Sequence, residues 1–131
     1  MIEVGKGLLT NEERTMVRDL ILLPYIDQMV GKSIEEIEHS GNVLRQTYII
    51  AGRFIQSRIM QDIYALKQDL KRRNIKVVDD EAADQIMYFK ILYRGYQERF
   101  GLMREVMKTE IRLRLTQYTA EVGQALQDHL K

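Results

Sequence analysis

Residues 74–102, Asn-Ile-Lys-Val-Val-Asp-Asp-Glu-Ala-Ala-Asp-Gln-Ile-Met-Tyr-Phe-Lys-Ile-Leu-Tyr-Arg-Gly-Tyr-Gln-Glu-Arg-Phe-Gly-Leu, decide how the chain is read. Asn74–Val78 is β-branched and out of step with the helical pattern before it, which predicts an extended connector. Asp79 or Asp80 then reads as an N-cap, and the acids around it suit the positive end of a helix. Ala83, Met87, Ile91 (or Lys90) and Arg94, with Tyr88, Tyr93 and Tyr96, advance at helical spacing to about Arg99. Phe100-Gly101-Leu102 reads as a glycine C-cap followed by its hydrophobic contact. Gly95 in mid-helix costs about 1 kcal/mol relative to alanine, which points to a second helix crossing close over it.

The flanking sequence is helical in character. Thr10-Asn11-Glu12-Glu13 has the form of a capping box, and a helix is expected from about Asn11 to Val30. Pro24 removes a hydrogen bond and predicts a kink or break, and Gly31 ends the element. Ser33-Ile34-Glu35-Glu36 repeats the capping pattern and opens a short helix closed by Gly41. From Asn42 to Asn74, Leu44, Tyr48, Ala51, Ile55, Ile59, Ile63, Leu66 and Leu70 form one continuous stripe. A final helix is expected from Met103 through Met107, Ile111, Leu115, Tyr118 and Val122 to Leu130. The expectation is therefore an all-α, single-domain helical bundle over residues 1–131. It has three long helices and one short one, the first long helix kinked or broken near Pro24. Residues 1–9 are expected to be a flexible tail.

Composition narrows the function classes. The 131 residues are 45% hydrophobic and 30% charged, which suits one globular core. With no cysteine, disulfides, thiolate nucleophiles and cysteine-bound metals are excluded. Met1–Thr10 carries Glu3 and lacks an apolar run, and Leu20–Ile26 is too short to cross a bilayer, so a cytoplasmic protein without membrane contact is expected. The net charge of +1 supplies no global field to recruit nucleic acid.

Candidate chemistry is sparse. Glu36-Ile37-Glu38-His39 has the Glu-x-x-His spacing of helical di-metal sites, but those need a second such motif. The other histidine, His129, has Leu126 three residues before it, so no metal or cofactor is expected. Ser33, Ser40 and Ser57 sit in no nucleophile elbow, and Gly5-Lys6-Gly7 is no phosphate loop. No catalytic residue is assigned. Lys67, Lys71, Arg72, Arg73 and Lys76 cluster at one helix end, where they could bind phosphates or simply meet the helix dipole. The acidic residues Asp79, Asp80, Glu81 and Asp84 follow directly. Aromatics at helical spacing are more often core, and the alternative for Tyr88, Tyr93, Tyr96, Phe100, Met103 and Met107 is an interaction surface, since tyrosine suits a face buried only on association.

Two stretches carry a family likeness. Leu70-Lys71-Arg72-Arg73-Asn74-Ile75-Lys76-Val77-Val78 and Tyr93-Arg94-Gly95-Tyr96-Gln97-Glu98-Arg99 resemble the YhjD-like family of small Bacillus proteins. The resemblance implies a helical fold and a Gram-positive source, and it transfers no catalytic residue. The functional expectation is a non-catalytic interaction or structural protein acting as a homo-oligomer, a dimer favoured, with a further protein partner possible. Nucleic-acid binding through residues 67–76 is the alternative, and a carboxylate metal-site enzyme is a distant third.

Overall fold

A computed structural model describes residues 8–130; residues 1–7 of the expected 1–9 tail lie outside that range, and Leu9 is packed in the core. Helix α1 spans Asn11–Glu38 and α2 spans Arg45–Arg72; strands β1 (Ile75–Ala83), β2 (Ile86–Tyr93) and β3 (Tyr96–Met103) follow, and α3 (Arg104–Leu130) closes the chain. The fold is α+β: three helices with a three-stranded antiparallel sheet in the order β1-β2-β3. The all-α expectation is thus overturned, and the helix expected from Asp79 to Arg99 is a pair of hairpins.

The physical reason lies in β2. Ile-Met-Tyr-Phe-Lys-Ile-Leu-Tyr is apolar at almost every position, so it satisfies a period of 3.6 and a period of 2 equally well. Its β-branched and aromatic side chains favour the pleated alternative. Phe89, Ile91 and Tyr93 are buried while Tyr88, Lys90 and Leu92 are half-exposed, which is the strand alternation. The turns confirm it. Tyr93 pairs with Tyr96 across Arg94 (φ 45°) and Gly95 (φ 86°). Positive φ at both central residues is the signature of a type I′ hairpin turn, whose twist matches that of the strands. Gly95 is therefore required by backbone conformation. A Cβ placed there would meet nothing within 4 Å, so the expected helix crossing is absent.

Gly101, expected as a C-cap, lies inside β3 opposite Tyr88. A Cβ at Gly101 would sit 2.9 Å from the Tyr88 ring, so the glycine makes room for the aromatic across the strands. Asn74 (φ 57°) turns the chain out of α2, and the expected connector from Ile75 onward is β1 itself. A bulge between Asp79 and Ala82 interrupts its pairing with β2.

The helices agree better with expectation. Thr10 caps α1 with both capping-box bonds present. Yet α1 is not broken at Pro24, Gly31 or Ser33, and the expected short helix is its last part. Pro24 itself is exposed, while Ile21, Leu22, Leu23 and Ile26 around it and Ile34 beyond are buried. Burial against α2 on both sides of the proline outweighs its local cost. Gly52 permits this packing, because a Cβ there would meet Ile34 at 2.8 Å.

Two core clusters result. One joins Val17, Ile21 and Leu70 to the sheet residues Ile75, Phe89, Ile91 and Leu102; the other joins Leu23 and Ile26 to Ile59, Ile63 and Tyr118. The sheet contributes to the core from one face only.

A urea titration of hairpin variants checks the turn. Gly95→Ala is expected to lower unfolding free energy by about 1–2 kcal/mol through its positive φ alone. Gly95→Asn, which tolerates that conformation, should cost less. A close helix crossing would reverse the order, since asparagine is the larger residue.

Candidate functional surfaces

The most constrained group in the molecule is Glu13, which is 3% exposed and charged. It stands at the third position of α1, where the capping box directs its carboxylate back to the Thr10 backbone N–H at 3.1 Å. From the β2–β3 turn, Arg94 donates to both Glu13 oxygens, at 2.9 and 3.2 Å. The same guanidinium donates to the Leu8 and Arg73 carbonyls. Arg73, at the end of α2, adds an ion pair to Glu13 at 3.5 Å. One carboxylate thus fastens the start of α1, the end of α2 and the tip of a hairpin. The Arg94 guanidinium, against the opposing effect of burial, holds the Glu13 pKa near 2 rather than an ordinary 4.5, and the Thr10 and Arg73 contacts add to the lowering.

The basic segment is divided by this arrangement. Arg73 is committed to Glu13 and to Asp69, whose carboxylate it reaches at 3.1 Å. Arg72 leans toward Asp69 at 3.6 Å from an exposed position. Lys67, Lys71 and Lys76 are exposed and share the rim of one cleft of about 510 Å³, floored by Leu20, Leu70, Ile75 and Val77. The cleft runs on along β1 past Val77 to Asp79. Of the five, Lys67, Lys71 and Lys76 share the cleft beside β1, Arg72 stays exposed at the helix end and Arg73 is held by carboxylates.

The aromatic set divides as well. Tyr93 and Met107 are core residues, and Phe100 is half-buried with Arg18 5.8 Å from its ring centre. Tyr88 lies on the opposite face of the sheet, with the Arg99 guanidinium 3.7 Å over its ring. Tyr96 at 51% and Met103 at 55% are open to solvent. Strand alternation divides the set: Tyr93, Tyr96 and Phe100 lie on the inner face, and Tyr88 and Met103 on the outer one.

His39 caps the end of α1 with Nδ1 2.8 Å from the Glu35 carbonyl. Among the described residues no three acidic or histidine side chains converge as metal ligands. An acid-rich cleft between the three helices escaped sequence reasoning. Asp19, Asp62, Asp69 and Glu121 line it, and each has a partner: Arg114, the Tyr118 hydroxyl, Arg73 and Arg58 respectively. Burial and Asp62 together push the Tyr118 hydroxyl above its ordinary range. Three of these pairs, at Asp19, Asp62 and Glu121, join helices far apart in sequence and have no local spacing to announce them; Asp69 and Arg73 are four residues apart on α2.

The chain matches the model of the YhjD protein family over residues 8–123. It belongs to that family. The match takes in α1, α2, the whole sheet and most of α3, so the Glu13–Arg94 clamp and the lysine cleft both lie within the YhjD region. No curated protein and no solved structure matches the chain. No helix among the described residues is long and apolar enough to cross a membrane.

The clamp has a pH signature. Because folding lowers the Glu13 pKa, its contribution is complete above about 4.5 and is lost as pH falls toward 2. That contribution is roughly 3 kcal/mol. Glu13→Gln should lower stability by a similar amount at neutral pH and flatten the acid limb of a stability-against-pH curve. An unchanged acid limb would show that the carboxylate is not the titrating group.

Proposed function

We propose that this YhjD family chain is a non-catalytic interaction or structural protein that works in the cytoplasm as a homo-oligomer, in the first instance a dimer. The observation that supports this reading most is the one-sided sheet. Its outer face carries Val78, Ile86, Tyr88 and Leu92, half-buried and outside both core clusters, with the exposed Met103 at its end. Apolar side chains grouped on one face, with Tyr88 and Arg99 stacked among them, have the composition of an association surface. Val106 and Leu113 on α3 are also exposed apolar residues.

A second reading has its own support. Lys67, Lys71 and Lys76 around one cleft could neutralise phosphates of a nucleic acid. The loss of Arg73 to Glu13 and Asp69 weakens it, as does the acidic run at Asp79–Glu81. Sedimentation velocity at tens of micromolar separates the two. The leading reading predicts a species of twice the chain mass and no salt-sensitive binding to single- or double-stranded DNA. A monomer at every concentration, with DNA binding lost in a Lys67→Gln/Lys71→Gln/Lys76→Gln variant, would replace it with the second.

A further inference from the structure

Strand β1 is an edge strand: among the described residues it pairs only with β2, which leaves its other row of main-chain groups without a strand partner. Natural proteins guard such edges with bulges and charges. β1 has both, but its charges are arranged in an unusual way. Lys76 stands at its start, and Asp79, Asp80 and Glu81 follow. Lys67 and Lys71 of α2 stand beside the same basic end of the strand. Like charges along an edge repel any copy that approaches. A basic half followed by an acidic half instead attracts an identical strand running the opposite way.

We infer that β1 pairs antiparallel with β1 of a second copy across a two-fold axis through Val78, making one six-stranded sheet. The inference rests on the self-association reading above and places its contact along the β1 edge, which borders that outer face. The register follows from the side-chain period of 2. Lys76 and Val78 lie on the outer face, opposite Leu92 and Lys90 of β2, and Asp80 joins them there by its bond to Arg99 at 3.2 Å. A two-fold axis perpendicular to the sheet keeps outer residues opposite outer residues. An axis through Val77 would set Lys76 against Val78 of the second copy, and an axis through Asp79 would set Val78 against Asp80. Only the axis through Val78 sets Lys76 against Asp80, twice by symmetry, with the two Val78 side chains in contact between them.

The inner face agrees. In this register Asp79 of the second copy lies opposite Val77, in the cleft whose rim carries Lys67. The acidic strand of each copy then runs along the lysine cleft of the other, so the same contact accounts for the cleft and the acidic run. The bulge after Asp79 limits regular main-chain pairing to Val77–Asp79, and the Lys76–Asp80 pairs flank it on both sides. Main-chain hydrogen bonds supply affinity in such strand addition, and the charges set direction and register.

Charge reversal on one side, tested by mixing, reads this out. Lys76→Glu alone places an acid against Asp80 at both symmetric positions, and Asp80→Lys alone places a lysine against Lys76. Each variant is expected to sediment as a monomer at tens of micromolar, where the parent is a dimer. An equimolar mixture restores both attractive pairs and should yield a dimer with one chain of each kind, identified by native mass spectrometry. Recovery on mixing also shows that both variants are folded. Dimeric single variants, or folded variants that stay monomeric when mixed, would overturn the edge pairing while a dimeric parent leaves the general reading intact. A monomeric parent would remove both.

Discussion

A single buried carboxylate organises this fold. Moving a charge out of water costs several kcal/mol unless its partners are already in place. Glu13 meets that condition only when three separate parts of the chain have come together: the α1 capping box, the end of α2 at Arg73, and the β2–β3 turn at Arg94. Arg94 in turn points into the core side because the turn holds it at positive φ beside Gly95. The capping box is local in sequence, so the start of α1 by itself orients the Glu13 carboxylate as an acceptor for the hairpin. Ion pairs of the more exposed kind, Arg14 with Glu98 and Arg58 with Glu121, add little by comparison.

The clamp also dictates what is left uncovered. With the hairpin tip held at the start of α1, one face of the sheet is pressed onto α1 and α2, and the other turns to solvent. α3 returns along the helical hairpin, held by Arg114 between Asp19 and Glu110 and by Tyr118 against Asp62. It contributes few buried residues of its own, chiefly Met107 and Tyr118. The β1 edge, the outer sheet face and the outer side of α3 are therefore consequences of one arrangement.

Legibility in the sequence followed the range of the interactions. Thr10 and Glu13 are three residues apart, and their capping box is readable without any structure. The α2 stripe is readable too, since its period persists across the whole helix. β2 is not, because a segment apolar at almost every position, Lys90 apart, has no period to detect. Its Tyr, Phe and Ile content was the available hint of a strand. The hairpin turns use Asp84-Gln85 and Arg94-Gly95 in place of the commoner Asn-Gly or Asp-Gly, so their signal is weak. Arg73 could have been discounted as a phosphate ligand from Asp69 four residues earlier. Its second engagement, with Glu13, and the pairing of Glu13 with Arg94 across 81 residues had no local trace.

The central claim is that Glu13 and Arg94 act as one unit, and a double-mutant cycle measures that directly. Unfolding free energies of the parent, Glu13→Gln, Arg94→Met and the double variant give their coupling. A coupling of about 2 kcal/mol or more is predicted, with the double variant little worse than either single one. Additive losses, leaving a coupling near zero, would show that the two residues stabilise the protein independently and that the fold does not depend on their contact.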